Sequence, residues 1–331
     1  MKRLSHTGLL LLLGVLVCFA FLASLLTGDV TAGRLWQGLL QSSTTLQVVL
    51  FELRLPRALL GLLVGFSLGM AGAALQGFLR NPLAEPGIVG VSGSAALGAV
   101  LVFYTGLSGV FDLALPLGGF IGACLGVGVL YLIAGRRANT VTLILAGIAV
   151  NAVATAGMSL ALNLSPNPYA SFEIIFWQLG SLADRSMQHV TFALPFMLVG
   201  WLLLLSVRGS LDVFTLGEDT AASMGVRTQR VGLLIILGTA LCVGAAVSVS
   251  GIIGFVGLIV PHLLRPVVGH QPSRLLLSSG LAGALLLLVA DIAVRLVPSN
   301  VELKLGVLTA LLGAPFFLYL VRRHHVFRST L

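Results

Sequence analysis

One apolar stretch after another, most of them long enough to cross a bilayer, fills this 331-residue chain, and its few charges fall in the short gaps between them. A helical span needs roughly 20 apolar residues to cross about 30 Å of hydrocarbon. The runs are Gly8–Leu26, Ala58–Leu79, Gly87–Gly106, Leu113–Ala134, Val141–Leu164, Val190–Val207, Val231–Val249, Gly251–Leu264, Leu275–Val297 and Leu305–Val321. They are continuous, not alternating, so helices and not barrel strands are the expected spanning structure. With 57% hydrophobic and 9% charged residues, the chain lacks the polar surface that a soluble domain of this length needs. It reads as an all-α polytopic membrane protein in which residues 1–331 form a single integral domain.

The stretch Val231–Leu264 decides the helix count. It is too long for one helix and too short for two complete ones, and its polar, glycine-containing centre Ser248–Gly254 predicts a break, hence a short or broken helix near 251–264. With ten spans and the N-terminus inside, thirteen of the 19 Lys and Arg residues fall on the cytoplasmic side and six outside, namely Arg34, Arg54, Arg57, Arg185, Arg295 and Lys304. With nine spans the 19 divide ten to nine. The positive-inside rule therefore predicts about ten transmembrane helices with N- and C-termini cytoplasmic. Met1-Lys2-Arg3 ahead of Leu9–Leu26 imitates a signal peptide, but the apolar core is long and Val17 before Cys18 argues against lipoprotein cleavage, so it is read as a retained span.

A net charge of +8 and a pI near 10.3 fit a rim that meets anionic membrane lipid. The arginines are scattered over loops and form no patch, so nucleic acid is not an expected partner. Cys18, Cys124 and Cys242 lie inside apolar runs and read as buried small hydrophobes. Gly61, Gly65 and Gly69 fall four apart, as do Gly118, Gly122 and Gly126, so each set predicts a groove where a neighbouring backbone approaches.

Absences narrow the function. Neither lysine, Lys2 nor Lys304, stands in a Gly-x-x-x-x-Gly-Lys-[Ser/Thr] context, so the chain cannot hydrolyse ATP by the P-loop route. It has no His-Glu-x-x-His, Cys-x-x-Cys or other metal-ligand cluster, and no catalytic residue, metal site or cofactor is assigned. Asp291 is the one carboxylate that looks embedded in a run, with Arg295 four residues on. That pair reads as a structural ion pair or as part of a proton relay.

Other residues carry more pattern. Asn151, Thr155, Ser159 and Asn163 recur every fourth residue on Val141–Leu164, covering a face about 120° wide. Such a stripe suits the wall of a polar pathway, or a row of interhelical hydrogen bonds. In the loop Gly217–Val226, Glu218 and Asp219 stand at the front, Ala221 and Ala222 follow, and Gly225 closes it. This is the pattern of a short helix with matched dipole and C-cap, either a surface on which a partner pushes or a plain connector. Arg54, Arg57 and Arg295 breach the positive-inside pattern. Local pairing with Glu52 or Asp291 explains them, as does docking of an acidic protein surface.

Arg54-Leu-Pro-Arg57, Gln76–Arg80 followed by Asn81-Pro82-Leu83-Ala84-Glu85-Pro86-Gly87, and Gly90-Val91-Ser92 together resemble the permease subunits of bacterial ABC importers for iron–siderophore, haem and cobalamin. So do the Gly217–Gly225 loop, Gly254–His262 and Gly313-Ala314-Pro315-Phe316-Phe317, which extends the resemblance over nearly the whole chain. The resemblance implies a non-catalytic, multi-pass subunit of the inner membrane that acts as a homodimer. It also implies two ATP-binding subunits engaging Glu218, Asp219, Ala221, Ala222 and Gly225, and a periplasmic substrate-binding protein docking on Arg54, Arg57 and Arg295. Asn151, Thr155, Ser159 and Asn163 would line the pathway, and alternating access would be driven from the ATPase subunits. Two alternatives come from other classes. One is a self-contained secondary transporter, and the other an intramembrane serine protease built on Ser92 of Gly90-Val91-Ser92-Gly93 with His262 as base.

Overall fold

Each of the ten apolar runs holds a helix in the computed structural model, which describes residues 5–28, 30, 33, 44–135, 140–165, 168–297 and 303–328. The helices are α1 (His6–Leu26), α2 (Thr44–Phe78), α3 (Val91–Tyr104), α4 (Ala114–Ala134), α5 (Thr140–Asn163), α6 (Pro168–Gln178) and α7 (Met187–Ser206). There follow α8 (Arg208–Phe214), α9 (Glu218–Ser223), α10 (Thr228–Ser250), α11 (Val256–Leu264), α12 (Pro272–Leu296) and α13 (Leu305–Arg328). Among the described residues, seven helices are long and apolar enough to cross a membrane: α1, α2, α4, α5, α7, α10 and α12. The apolar parts of α3 and α13 are shorter, and α11 has 9 residues. Lys2, Arg3, Arg34, Arg136, Arg137, Ser299 and Asn300 lie outside the described residues.

Two long helices form the interior. The apolar windows of α2 and α10 are 83% and 78% buried, against 28–33% for α1, α4, α5 and α7, so the last four present their outer faces to lipid or a partner. Cys18 and Cys124 sit on those exposed faces, where burial was expected; only Cys242, on α10, is buried. A helix apolar all round gives no sequence cue to which side is outermost.

Glycine sets the spacing. A methyl at Gly69 would collide with the carbonyl of Ser279, and one at Gly65 would stand 2.8 Å from the Cα of Ala284, so α2 and α12 pack backbone to backbone. Gly118 and Gly122 bring α4 equally close to Ser94 and Gly98 of α3. Both glycine repeats thus mark tight helix pairs, the expected use of small residues where lipid removes the hydrophobic drive to associate.

The predicted break is real. α10 ends at Ser250, Gly251 takes φ 71°, residues 251–255 are non-helical, and α11 begins at Val256 behind Phe255 at φ 67°. Backbone from two other regions fills the gap: Ser181 donates its N–H to the Ser250 carbonyl at 2.8 Å, and Gly306 donates to the Gly180 carbonyl at 3.2 Å.

Two helices occupy stretches that look like polar gaps. α2 starts at Thr44, with a π-helical stretch Val49–Arg54 ahead of Pro56, and α6 fills Pro168–Gln178. Ile174 and Trp177 of α6 are buried while Phe172 and Ile175 are exposed, an amphipathic pattern too short to register as a span.

Overpacking costs about 1–3 kcal/mol, the upper end applying where the obstacle is backbone. Gly69→Val should therefore lower the melting temperature of the detergent-purified protein clearly. Gly128→Ala, which meets nothing within 4 Å, should leave it unchanged.

Candidate functional site

Asp291 lies on α12, 1% exposed, between two arginines. Arg57 of α2 donates Nε and Nη2 to its Oδ1 at 3.0 and 2.8 Å, and Arg295 one turn on reaches its Oδ2 at 3.0 Å. A buried carboxylate held by two guanidiniums is neutralised in place, and the relay reading gains no titratable partner from it. Arg295 also donates to the Ser24 and Thr27 carbonyls at 2.9 and 3.0 Å, and Arg54, 7% exposed, donates to Leu25 and Val30 at 3.0 and 2.8 Å. Those carbonyls belong to the end of α1 and the residues just beyond it, so the arginines satisfy groups that a helix end leaves open. One cluster ties α1, α2 and α12 together.

The same arginines border a depression of about 530 Å³ at this end of the bundle, walled also by Val49, Leu53 and Val294. Arg185 enters it from the loop after α6, and its Nε is buried with no hydrogen-bond partner among the described residues. Burial lowers the Arg185 guanidinium below its ordinary value, opposed by the charge of Asp184. A buried guanidinium donor without an acceptor is costly unless an anion arrives. Reading the sequence placed Arg185 on this face but missed it as a site residue. The signal was weak: an arginine beside an acid in a loop looks paired.

The run from Gln76 to Gly87 wraps the short helix α11. Glu85 Oε1 accepts the Phe255 N–H at 2.7 Å, capping α11, and burial raises the Glu85 carboxyl above its ordinary value while that N–H pulls it down. Gln76 Nε2 reaches the carbonyls of Ala84, Gly257 and Leu258 at 3.3 Å each, and Arg265 Nη2 closes on Gln76 Oε1 at 2.6 Å. A methyl on Gly72 would strike Gly257, so α11 rests directly on α2.

α9 stands at the opposite end. The Val226 N–H bonds the Ala221 carbonyl and the Gly225 N–H bonds Ala222, both at 3.0 Å, with Gly225 at φ 86°. That is a full Schellman cap on the expected helix. Ala221 is buried, while Asp219, Ala222 and Gly225 are exposed and Glu218 is half-buried. α8 links α9 to the core: Asp212 accepts from Ser273 N–H at 2.8 Å and Gln271 Nε2 at 3.1 Å at the start of α12, and Phe214 meets Phe78 of α2 edge-on at 5.5 Å. Asp291 lies eighteen residues along α12 from Ser273, about 27 Å at helical rise.

On α5, Thr155 and Ser159 are exposed and donate back to the carbonyls of Asn151 and Thr155 at 2.8 and 3.0 Å. Asn163 is exposed and Asn151 half-buried against Gly93. Among the described residues no hydrogen bond joins these four to another helix, so within the protomer they are not interhelical glue.

A multi-pass α-helical bundle with a broken helix, an arginine-walled depression at one end and a small capped helix at the other has the build of a membrane transport subunit. Residues 13–323 match the FecCD transport family, and the chain belongs to it. It is 41% identical over 298 residues to the Vitamin B12 import system permease protein BtuC of Vibrio cholerae, covering 88% of each chain. It is 37% identical to the Hemin transport system permease protein HmuU of Yersinia pestis, covering 84% of each. A solved metal-chelate type ABC transporter in an inward-facing conformation superposes with TM-score 0.85 at 32% identity, over 95% of this chain and 98% of that one. The chain is thus an inner-membrane permease, a transport component of the same kind as these vitamin B12 and hemin import permeases. Membership displaces both the serine-protease and the secondary-transporter readings; the ring of His262 packs edge-on against Phe316 at 5.7 Å.

Removing one member of a buried ion pair costs about 3–5 kcal/mol, because its partners stay buried and uncompensated. Asp291→Asn should therefore lower thermal stability sharply in detergent, whereas Asp219→Asn, on the exposed turn of α9, should leave it unchanged.

Proposed function

We propose that this chain is the homodimeric transmembrane permease of a binding-protein-dependent ABC importer, carrying an iron–siderophore, or haem or cobalamin, by alternating access. The end bearing α9 faces the cytoplasm and the arginine-walled end faces out. The basic side chains Arg80, Arg208, Arg227, Arg230, Arg265 and Arg274 all fall in segments at the α9 end, which supports this orientation under the positive-inside rule. Both termini are cytoplasmic on this reading.

The observation that carries the proposal is α9: a rigidly capped turn, exposed on one side and fastened on the other through Asp212 to α12. Two ATP-binding subunits, one per protomer, press on Glu218, Asp219, Ala222 and Gly225, with buried Ala221 seating the turn. Nucleotide-driven movement of that turn is delivered to the long core helices. α11, nine residues long and held by hydrogen bonds to Gln76 and Glu85, is the shortest helix among the ten apolar runs and so the natural gate. Asn151, Thr155, Ser159 and Asn163 line the pathway where the two protomers meet. Hydroxyls already bonded to their own helix offer a chelate weak, replaceable contacts, which suits passage better than tight binding.

A periplasmic binding protein docks over the outer depression, presenting acidic side chains to Arg54, Arg57 and Arg295. The bonds of these three to Asp291 and to α1 hold the guanidiniums rigid for an incoming carboxylate. Arg185 joins them as a donor whose Nε has no partner among the described residues.

Two measurements test this. Arg185→Glu should weaken binding of the cognate binding protein at least tenfold at low salt and less at high salt, with the fold intact; unchanged affinity removes the docking surface. Gly225→Val places a β-branched residue at φ 86°, a strain of about 1–2 kcal/mol confined to a surface turn. In proteoliposomes containing the ATPase and binding-protein partners, stimulated ATP hydrolysis and uptake should fall together while the melting temperature of the permease holds. Uptake by the permease alone, driven by an ion gradient, would overturn the reading.

A further inference from the structure

A second cavity, about 240 Å³, opens at the α9 end of the bundle between the last turn of α2 and the first turn of α12. Its walls carry three potential cations, Arg80, Arg265 and His270, together with Thr215, Pro272 and Leu275. Among the described residues no carboxylate lines it. The nearby acid, Asp212, is engaged by Gln271 and Ser273. Arg265 spends its Nη2 on Gln76, while Arg80 is exposed and enters no hydrogen bond or ion pair in the described structure. Arg80 and His270 both hold left-handed backbone, φ 48° and 63°, which few non-glycine residues adopt and which here turns the chain around the cavity.

Like charges gathered around a concavity without a counter-charge repel one another unless an anion fills it. Guanidinium forks match phosphate oxygens in geometry as well as charge. The position selects the source of the phosphate. α2 and α12 are spanning helices, and the cavity sits where both end, at the depth of the headgroups. Pro272 and Leu275 add apolar wall to the cavity itself, and Leu263 and Val267, two residues either side of Arg265 in the sequence, are 56% and 49% exposed at this end of the bundle. Basic groups and apolar surface at one depth fit an amphiphile better than a free ion.

We propose that this cavity is a binding site for the phosphate headgroup of an anionic phospholipid, with Arg80, Arg265 and His270 as its ligands and the acyl chains lying along Leu263 and Val267. A phosphatidylglycerol headgroup brings net negative charge to three basic groups. A phosphatidylcholine headgroup brings its own cation into them and is disfavoured. The site does not depend on which cargo the permease carries, nor on the assigned direction of transport.

The test uses the full-length permease in nanodiscs of mixed phosphatidylglycerol and phosphatidylcholine, with lipid retained on release measured by native mass spectrometry. Wild-type protein should keep phosphatidylglycerol over phosphatidylcholine by about tenfold. Arg80→Gln, which breaks no bond of the described structure, should cut that preference severalfold, and Arg80→Gln/His270→Asn should abolish it. Arg227→Gln removes an exposed arginine near the same end that does not line the cavity, and should leave the preference intact. An equal loss in Arg227→Gln, or an unchanged preference in the double variant, overturns the proposal. Displacement of the retained lipid by millimolar inorganic phosphate also overturns it, assigning the pocket to a free anion. Melting temperatures in pure phosphatidylcholine, expected to be alike for all four proteins, separate a lost site from a lost fold.

Discussion

Backbone contact between α2 and α12 is the constraint on which the rest of the molecule hangs. In a bilayer, burying leucine against leucine gains little over leucine against lipid, so helices stay together through close van der Waals approach and satisfied polar groups. Gly65, Gly69 and Gly283 bring the two backbones within reach, and the clusters at both ends of the bundle attach to this pair. At one end Arg57 from α2 meets Asp291 from α12. At the other, Phe78 of α2 and the first turn of α12 receive α8. A side chain at Gly69 would part the helices and remove the geometry of both ends at once.

Given that pair, the expensive features of the fold become intelligible. A nine-residue helix with left-handed Phe255 at its start leaves backbone donors that hydrocarbon cannot satisfy. The loop after α2 supplies the remedy for one donor, Glu85 taking the Phe255 N–H, while Gln76 from α2 itself binds the carbonyls of Gly257 and Leu258. Non-helical backbone is tolerated at residues 251–255 because Gly180, Gly306 and the end of α6 pack around it. The loop segment Asn81–Gly87, conspicuous in the sequence for its prolines, is therefore a clamp on a weak helix.

Legibility followed the physics of each signal. Apolar length marks helices strongly, and all ten runs hold one; the α9 turn was equally readable, because an acidic start and a glycine stop act within six residues. The break near Gly251 was legible for the same reason, a local departure from helix-forming residues. What escaped depends on partners distant in sequence. Nothing around Arg54 says that its guanidinium will cap α1 rather than stand clear in solvent. Arg185 looks like half of a pair with Asp184 until its burial is seen. Helix α6 and the extension of α2 back to Thr44 escaped because amphipathic segments this short give no continuous run. Outward faces were the least legible: Cys18 and Cys124 sit in segments apolar on every side, and composition cannot distinguish lipid from core there.

The arginines at the Asp291 end show why a structural and a docking role need not compete. On the proposed orientation these arginines lie on the outer side, where positive charge opposes insertion, and Asp291 offsets it by holding Arg57 and Arg295 in one neutralising cluster. That cluster also fixes where their guanidiniums sit, and a fixed donor loses less entropy on meeting a carboxylate than a free one. On the proposed reading, a binding protein that engages this surface touches groups bonded to α1, α2 and α12 at once. A displacement of α12 started at Asp212 by the turn α9 then arrives beneath the docked protein without an intervening joint, because α12 runs from Pro272 to Leu296 with no break. Coupling between the two faces follows from the stiffness of one helix and needs no chain of intermediate contacts.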